Sequence, residues 1–333
     1  MTQESSASET TEGTALDVVT LGETMLRLSP PVGYSLENAE RYEVTTGGAE
    51  SNMAIALARL GKRVGWVSRL PRSPVGRRVA AEIARHGVDV SRVVWADGAR
   101  QGIAFTETGG APRGNRVIYD RAHAAIAFME PEQLDWDYIA SARTLFLGGI
   151  TPALSEGCRR CCLRALREAK AKGRRVVFDV NYRAHLLPPE EARPVMAELL
   201  EGADAVIAPL KDLRAVFGMP DDPRTAAQRF AEAYRVPLVV LTLGENGSLA
   251  YDGEFHAQPV YPTETHDRIG SGDAFAAGFL YGWDERGVAY GLLCGNASAA
   301  LKQTYRGDVT WAGLEELLEL VENEFVDPRR VKR

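Results

Sequence analysis

The chain has 333 residues, 45% of them hydrophobic and 25% charged, which is enough for one large or two smaller globular domains and excludes wholesale disorder. Lysine and arginine number 39 against 45 aspartate and glutamate residues, a net charge of −6, so the whole chain has no general attraction for nucleic acid. Any phosphate that the protein handles must therefore be held at a local site.

Both ends of the chain are predicted to be tails. Residues 1–15 are polar and lack the basic start and apolar run of a secretory signal, and residues 326–333 form a basic, solvated end. No stretch approaches the roughly 20 apolar residues that span a bilayer. The sequence predicts a cytoplasmic protein without a membrane partner or a nucleic-acid partner, folded as a single domain over residues 16–325.

The four cysteines indicate a reducing compartment, because three of them crowd into residues 158–162, where pairing across a fold would be awkward. Metal ligation by these three is the alternative. The segment around them is typical of a single helix, and no histidine lies near it. They are therefore expected to be small apolar residues on a helix.

From Leu16 onward, short apolar runs alternate with alanine-rich amphipathic segments, which predicts an α/β fold with a mostly parallel sheet. Strands are predicted at residues 17–22, 64–70, 144–150, 174–181, 204–210 and 237–244. Helices are predicted at residues 51–61, 76–87, 155–173, 189–202, 273–287 and 291–303, several of which end at a glycine.

Two regions interrupt this alternation, at about residues 22–46 and 101–121. Both contain short strand-like pieces separated by turns rich in glycine and proline. They are interpreted as a small β-rich lid that covers a site on the main sheet. The alternative is that they are irregular surface loops.

An anion pocket is predicted near the C-terminal end, where Gly270, Ser271 and Gly272 lead into a helix expected to begin near Asp273. Unpaired backbone N–H groups at such a helix start attract anions. A carboxylate beside an anion site suits a base that takes a proton from an attacking hydroxyl, so the pattern favours phosphoryl transfer to an alcohol. The alternative is a plain helix cap, because aspartate is common there.

A second glycine-rich helix start places Gly47 and Gly48 before Asn52. Paired glycines let a small polyol approach the backbone, and Asn52 offers both a donor and an acceptor; a tight turn with a cap is the alternative.

The familiar nucleotide motifs are missing. Gly61 and Lys62 are followed by Arg63 rather than serine or threonine, and no G-x-G-x-x-G occurs, so P-loop and nicotinamide chemistry lack support.

The stretches "GGAESNMAIALARLG" and "DRIGSGDAFAAGF" resemble, in order and spacing, the paired signatures of the ribokinase-like (PfkB) carbohydrate kinases, with similarity over about residues 18–304. This resemblance implies a mostly parallel sheet between helices, a β lid over the sugar, and ATP and Mg²⁺ as cofactors. It also implies that Asp273 is the catalytic base, and that the amides of Gly270, Ser271 and Gly272 stabilise the moving phosphoryl group.

Within that family the chain resembles the 2-keto-3-deoxygluconate kinases in the stretches "GETMLRLSPP", "VIYDRAHAA", "LGGITPALS" and "FDVNYRAHL". Tyr119 and Arg121 match a lid Tyr-x-Arg, and Arg183 matches an arginine of that subgroup. A keto-deoxy acid carries a carboxylate, which the two-pronged guanidinium group suits. The alternatives are a surface charge for Arg121 and a salt bridge to Glu190 or Glu191 for Arg183.

The same resemblance implies a nucleotide site. The stretch "LTLGENGS" resembles the strand and turn that line the family's ATP site, which assigns Thr242, Gly244 and Gly247 to the nucleotide and Asn181 to the region near its phosphates. Asn296 stands where the family often contacts adenine. The alternative for Asn296 is an asparagine on a packed helix.

Several positions depart from the family pattern. Where the family usually has Asn-x-x-Glu to organise Mg²⁺, this chain has Pro209, Lys211 and Asp212, and only Asp212 retains a carboxylate for an indirect metal contact. In the lid, Ala104 stands where acid kinases tend to carry an aromatic residue, and Ala122 where many carry lysine. Metal handling and substrate preference are the features that these departures affect.

The combined hypothesis is an ATP-dependent kinase that phosphorylates 2-keto-3-deoxygluconate on its terminal hydroxyl. A fructokinase or another neutral-sugar kinase is the first alternative, and a catalytically impaired sugar-binding regulator is the second. A nicotinamide oxidoreductase is disfavoured by the missing fingerprint. Exposed lid strands are expected to pair with a second subunit, giving a homo-oligomer.

Overall fold

The computed structural model describes residues 16–109 and 112–323, so the tails predicted at 1–15 and 326–333 lie outside the described residues. The strands are β1 Val18–Leu21, β2 Met25–Ser29, β3 Glu43–Gly47, β4 Val64–Val67, β5 Arg69–Pro71, β6 Val94–Ala96, β7 Ile103–Glu107, β8 Arg116–Asp120, β9 Thr144–Gly148, β10 Arg175–Asp179, β11 Ala205–Pro209, β12 Leu238–Thr242, β13 Ser248–Tyr251 and β14 Phe255–Gln258. The helices are α1 Ala49–Arg59, α2 Pro74–Ala84, α3 Trp136–Ile139, α4 Glu156–Ala171, α5 Pro189–Leu200, α6 Leu210–Phe217, α7 Pro223–Tyr234, α8 Ser271–Arg286, α9 Val288–Gln303 and α10 Leu314–Asn323.

The main sheet has eight strands in the order β14-β13-β12-β11-β10-β9-β1-β4. The strands from β12 to β4 pair in parallel, and β13 and β14 add an antiparallel edge. The predicted α/β class with a mostly parallel sheet is thereby confirmed. Apolar runs suit these strands because helices cover both faces of the sheet.

Two hydrophobic cores lie on the two faces of this sheet. Successive side chains of β1 alternate between them, with Val19 and Leu21 on the face covered by α4 to α7 and Val18 on the face covered by α1, α2 and α8 to α10. The three crowded cysteines are buried on α4 in the first core. Burial raises the pKa of Cys158 to about 11, so its thiol stays protonated and unreactive.

A second, smaller sheet has the strand order β3-β2-β7-β8 and lies within the two segments that interrupt the strand and helix alternation. Only the β2–β7 pair is parallel; the other two pairs are antiparallel. Across this sheet Arg27 lies opposite Ala104, and Ala104 lies opposite Tyr119, so the three side chains share one face. Within the described ranges of the chain, no helix is both long and apolar enough to cross a bilayer.

Candidate active site

A cavity of about 1080 Å³ opens between the inner face of the small sheet and the carboxyl ends of the main parallel strands. Ligands of open α/β sheets bind at this edge. Most residues predicted for the site line this one cavity: Gly47, Gly48, Asn52, Tyr119, Arg121, Asn181, Arg183, Thr242, Gly244, Gly270, Ser271, Gly272 and Asp273. Three predicted residues, Asp212, Gly247 and Asn296, are not among its lining residues.

The helix that carries Asp273 begins earlier than predicted. Helix α8 starts at Ser271, two residues before Asp273, and Gly270 is its N-cap with a φ of 81°. A Cβ atom on Gly270 would lie 1.9 Å from the backbone oxygen of Asp308, so the loop can make this close turn only with glycine. The earlier start places the Asp273 side chain in the first turn of α8 rather than at its cap.

The backbone amides at this helix start differ in their availability. The Ser271 N–H donates to the Arg268 carbonyl oxygen at 3.2 Å. The amides of Gly272 and Asp273 have no acceptor among the residues that the structure describes. The Gly270 N–H also has no acceptor there, so Gly270 and Gly272 keep the free N–H groups predicted for them, Ser271 does not, and Asp273 adds one.

Asp273 is held by an asparagine from the other glycine-rich motif. The Asn52 side-chain amide donates to Asp273 Oδ2 at 2.7 Å, and Asn52 Oδ1 accepts from the Gly48 N–H at 3.4 Å. Burial raises the pKa of Asp273 to about 6, although the Asn52 hydrogen bond opposes this shift. Asp273 Oδ1 remains able to accept a proton from a hydroxyl near neutral pH.

A second carboxyl group, Glu50, lies buried at the base of the cavity and was missed by the sequence analysis. Thr151 Oγ1 donates to Glu50 Oε1 at 2.8 Å, and Oε2 has no partner among the described residues. Added Cβ atoms on Gly22 and Gly148 would approach the carboxyl group of Glu50 to 2.2 and 2.8 Å. Burial raises the pKa of Glu50 to about 7. Glu50 lies in the first turn of α1, where acidic residues are common, so its sequence context gave no distinct signal.

Arg121 is not a surface charge. Its Nη2 donates to Glu23 Oε2, and the two side chains are only 9% and 4% exposed. The guanidinium group also lies over the Tyr119 ring, 5.4 Å from the centroid. Glu23, a second carboxyl group that sequence reasoning missed, neutralises Arg121 within the cavity wall.

Arg183 has a different environment. Its Nη1 donates to the Tyr182 carbonyl oxygen at 3.3 Å, and within the described residues it forms no salt bridge with Glu190 or Glu191. The salt-bridge alternative for Arg183 is therefore wrong. Arg183 lines the cavity at an exposed position without a direct salt bridge among the described residues. Its charge nevertheless acts on the nearby carboxyl groups of Asp179 and Asp273, where it lowers the pKa against the effect of burial.

Asp212 does not line the cavity, and its side chain instead holds the backbone after β10. Its Oδ2 accepts from the Tyr182 N–H at 3.2 Å, and the side chain is buried.

Asp179, at the end of β10, does line the cavity, and burial together with the nearby charge of Asp273 raises its pKa. No group of three or more candidate metal ligands occurs in the described part of the chain. The neighbouring Lys211 also lines the cavity.

The nucleotide residues divide into two groups. Thr242 and Gly244 line the cavity, whereas Gly247 belongs to the turn beneath them, where its Cβ would lie 2.0 Å from the Gln258 backbone oxygen. The Asn296 side-chain amide donates to Ser248 Oγ at 3.0 Å and to two backbone oxygens of residues 258 and 259. Asn296 thus braces the fold, as its packed-helix alternative expects, and the structure does not place it in the cavity.

The profile of the pfkB family of carbohydrate kinases matches residues 15–312. The chain therefore belongs to this family, and it is a phosphotransferase that acts on a sugar hydroxyl. A 2-dehydro-3-deoxygalactonokinase of Haloferax volcanii is 44% identical over 295 residues, which cover 88% of this chain and 92% of that protein.

Solved structures resemble this chain along most of its length. The 2-dehydro-3-deoxygluconokinase of Thermotoga maritima has a TM-score of 0.87 at 33% identity and covers 92% of this chain and 98% of its own. An E. coli protein in complex with ATP and Mg²⁺ has a TM-score of 0.84 at 23% identity, covering 92% of this chain and 99% of its own, which is a likeness of fold. The ribokinase-like fold is confirmed.

Proposed function

We propose that the protein transfers the γ-phosphoryl group of ATP to the terminal hydroxyl of 2-keto-3-deoxygluconate. The position of Arg183, which lines the same cavity as Asp273 and forms no direct salt bridge among the described residues, is the observation that carries this proposal. A guanidinium group pairs with a carboxylate through two parallel hydrogen bonds, and a neutral sugar would not need it. The C4 epimer, 2-keto-3-deoxygalactonate, is the next candidate, because the Haloferax relative is named for it.

The acceptor would bind between the small sheet and the first turn of α1. Gly48 brings the backbone close there, since its Cβ would lie 2.0 Å from the Glu23 backbone oxygen. Asp273 Oδ1 would take the proton of the terminal hydroxyl, while Asn52 holds Oδ2 and thereby orients the carboxylate. The free amides of Gly272 and Asp273 would stabilise charge on the transferring phosphoryl group.

ATP would occupy the side of the cavity lined by Thr242 and Gly244. Mg²⁺ usually binds through one or two carboxylates together with phosphate oxygens and water, and Asp179 fits that role because it is a buried carboxyl group on the cavity wall. When bound, Mg²⁺ neutralises phosphate charge. Lys211 adds a further cation, for which no ion pair occurs among residues 16–109 and 112–323.

The substrate is tested by coupled ADP release with 2-keto-3-deoxygluconate, 2-keto-3-deoxygalactonate, fructose and gluconate at fixed Mg·ATP. The proposal predicts the largest kcat/KM for one of the two keto-deoxy acids, with fructose, the neutral sugar of the panel, far behind. A larger kcat/KM for fructose than for both acids would refute the acid assignment.

The role of Arg183 is tested with Arg183→Gln. Loss of a charge-assisted pair predicts a fall of about 10- to 100-fold in kcat/KM for the keto acid and little change for a neutral acceptor. Arg193→Gln, at an exposed position on α5 outside the cavity, is the matched control. Arg121 is tested only together with Glu23→Gln, because its removal alone would leave Glu23 buried without a partner.

A neutral-sugar kinase is the second candidate, and the Glu23–Arg121 pair favours it, since that pair already neutralises one of the two arginines. A catalytically impaired regulator predicts ligand binding without ADP release. The Asn52–Asp273 hydrogen bond argues against a regulator, because a protein that only binds has no need of an oriented carboxylate beside an anion site.

The small sheet is proposed to act as a lid and to pair with the same sheet of a second copy. Its outer face carries an apolar row in which Leu28 lies opposite Val44 and Phe105, and Phe105 lies opposite Ile118. Ile118 is 51% exposed and Val44 37% exposed. Burial of this row would stabilise a dimer. Light scattering tests it: Ile118→Lys should convert a wild-type dimer into monomers, and a monomeric wild type would refute the proposal.

We propose that the protein works in the cytoplasm, where ATP is plentiful. The cysteines Cys158, Cys161, Cys162 and Cys294 are all free thiols and all buried, which fits a reducing compartment.

A further inference from the structure

One contact joins the small sheet to the main sheet beside the cavity. The rings of Tyr119 on β8 and His185 in the loop after β10 are stacked, with centroids 4.5 Å apart and an angle of 12° between their planes. Tyr119 lies two residues before Arg121, and His185 lies two residues after Arg183. The stack therefore connects the two segments that carry the cavity arginines.

The loop that carries His185 is internally braced. Asn181 has a φ of 36°, a left-handed conformation that few residues other than glycine adopt. The Tyr182 hydroxyl donates to the Leu187 carbonyl oxygen at 3.0 Å, and the Leu186 N–H donates to the Arg183 carbonyl oxygen at 2.9 Å. Together with the bond from the Tyr182 N–H to Asp212, these contacts make the loop a fixed platform.

The electrostatic surroundings of the stack favour a neutral imidazole. Burial lowers the pKa of His185, and the charges of Arg121 and Arg183 lower it further. A neutral aromatic ring can stack on Tyr119 without adding a third positive charge to the pair of arginines. The opposing partner, Tyr119, is also contacted by the Arg121 guanidinium group.

We propose that His185 is a positioning residue: it holds β8 of the small sheet against the 181–187 loop, and so directs Arg183 to the acceptor carboxylate. The carboxylate part of this inference rests on the proposed function, whereas the contact between the two sheets does not. Nothing in the chemistry requires His185 to touch the acceptor itself.

Kinetics with three variants test the effect on substrate. Because a stacked aromatic pair stabilises the contact between its two segments, His185→Ala is expected to raise KM for the keto acid by about 3- to 10-fold. The values of kcat and of KM for ATP should stay nearly unchanged. His185→Phe keeps a ring at the same place and should restore the wild-type KM. His256→Ala, on β14 and outside the cavity lining, is the control. An unchanged KM in His185→Ala, or an equal defect in His185→Phe, overturns the inference.

Hydrogen–deuterium exchange of residues 116–120 in the ligand-free enzyme tests the contact independently of the substrate. His185→Ala should exchange faster there than the wild type, and His185→Phe should exchange at the wild-type rate. If exchange behaves in this way but the enzyme prefers a neutral sugar, the proposed acid substrate fails and the stacking contact stands. If exchange is the same in all three proteins, the inference fails whatever the substrate is.

Discussion

Two carboxyl groups that line this cavity, those of Asp273 and Glu50, have pKa values that burial raises toward neutrality. The pKa of Asp273 is raised to about 6 and the pKa of Glu50 to about 7. The two differ in their partners: Asp273 accepts a hydrogen bond from Asn52, whereas Glu50 accepts one from Thr151 and keeps its second oxygen unpaired in the described structure. Asp273 is thus positioned to exchange a proton with a ligand, whereas Glu50 is positioned to remain protonated.

Asp273→Asn is expected to lower kcat by about 100- to 10,000-fold, because the amide cannot accept the hydroxyl proton. Binding of ATP and sugar should persist, since an amide can still interact with Asn52. In the wild type, activity should fall as the pH drops through about 6, where Asp273 becomes protonated. Coupled ADP release between pH 5 and 8 measures both effects. A variant that retains full kcat would refute the assignment of the base.

Glu50→Gln is expected to change how stability depends on pH. The folded protein holds the Glu50 proton up to about pH 7, whereas the unfolded chain releases it near the ordinary value of 4.5. Because the folded state binds more protons in this window, wild-type stability falls as pH rises from about 4.5 to about 7, by up to about 1.4 kcal/mol per pH unit. Glutamine does not titrate, so the variant gains stability relative to the wild type with rising pH.

Urea denaturation at pH 5, 6, 7 and 8 measures this difference. Asp273 contributes a fall of the same sign between pH 3.8 and about 6 in both proteins. Because the Asp273 charge also raises the pKa of Glu50, the difference between the two proteins is read above pH 6, where Asp273 is largely ionised. Glu232→Gln, at an exposed site on α7, is the control and should show no pH-dependent difference. A wild-type and Glu50→Gln difference that stays constant with pH would contradict the buried proton.

Among the elements, β2 of the small sheet is tied to the loop before α8 by a buried charge network. Arg27 donates to Asp308 and, at 3.1 Å, to Asp267. Asp267 Oδ2 also accepts from the Gly307 N–H at 3.1 Å, and its carbonyl oxygen accepts from the fully buried Lys302 ammonium group at 3.0 Å. Since this loop leads directly to the anion site, the network sets the position of the first turn of α8.

Arg27→Met is expected to destabilise the protein by about 3–5 kcal/mol, because it leaves Asp267 and Asp308 buried without their common partner. Urea denaturation measures the change. Arg72→Met removes an arginine from an exposed pair with Asp97 and should have little effect. Equal stabilities for the two variants would mean that the buried network contributes no more than a surface pair.

At the scale of the whole molecule, two sheets of different construction enclose one cavity. The main sheet is parallel up to β12, and the start of α8 lies on its side of the cavity, while the small sheet is largely antiparallel and carries Tyr119, with Arg121 directly after β8. A ligand that contacts both sheets stabilises the folded protein as a whole. Such a site gives stabilisation that depends on ligand concentration.

A non-hydrolysable ATP analogue at 100 times its Kd is expected to stabilise the protein by about 2.7 kcal/mol, and NAD at the same concentration by nothing measurable. The keto acid should add a further shift when the analogue is present. Thermal denaturation with each ligand measures these effects. Stabilisation by NAD in place of the ATP analogue would restore the oxidoreductase alternative.

Local patterns were sufficient to predict the parallel strands of the main sheet and six of the helices, whereas helices α6, α7 and α10 and the edge strands β13 and β14 were not predicted. The alternation of apolar strands and amphipathic helices depends on residues close in sequence, and so does the glycine-rich approach to a helix start at Gly270. The helix nevertheless begins at Ser271, because Gly270 caps it against the Asp308 backbone. For Asn296 the local pattern was not sufficient. Its sequence context suited a nucleotide contact, but its side-chain amide donates to the backbone oxygens of residues 258 and 259.

The sequence by itself determined the parallel α/β plan, the position of Asp273 after a glycine-rich loop, and the arginines at positions 121 and 183. Only the tertiary structure decided their partners. Arg121 meets Glu23 across 98 positions of the chain, and Asn52 meets Asp273 across 221. The charge left on each group depends on which distant side chain packs against it, and that is set by how the two sheets fit together rather than by any local pattern.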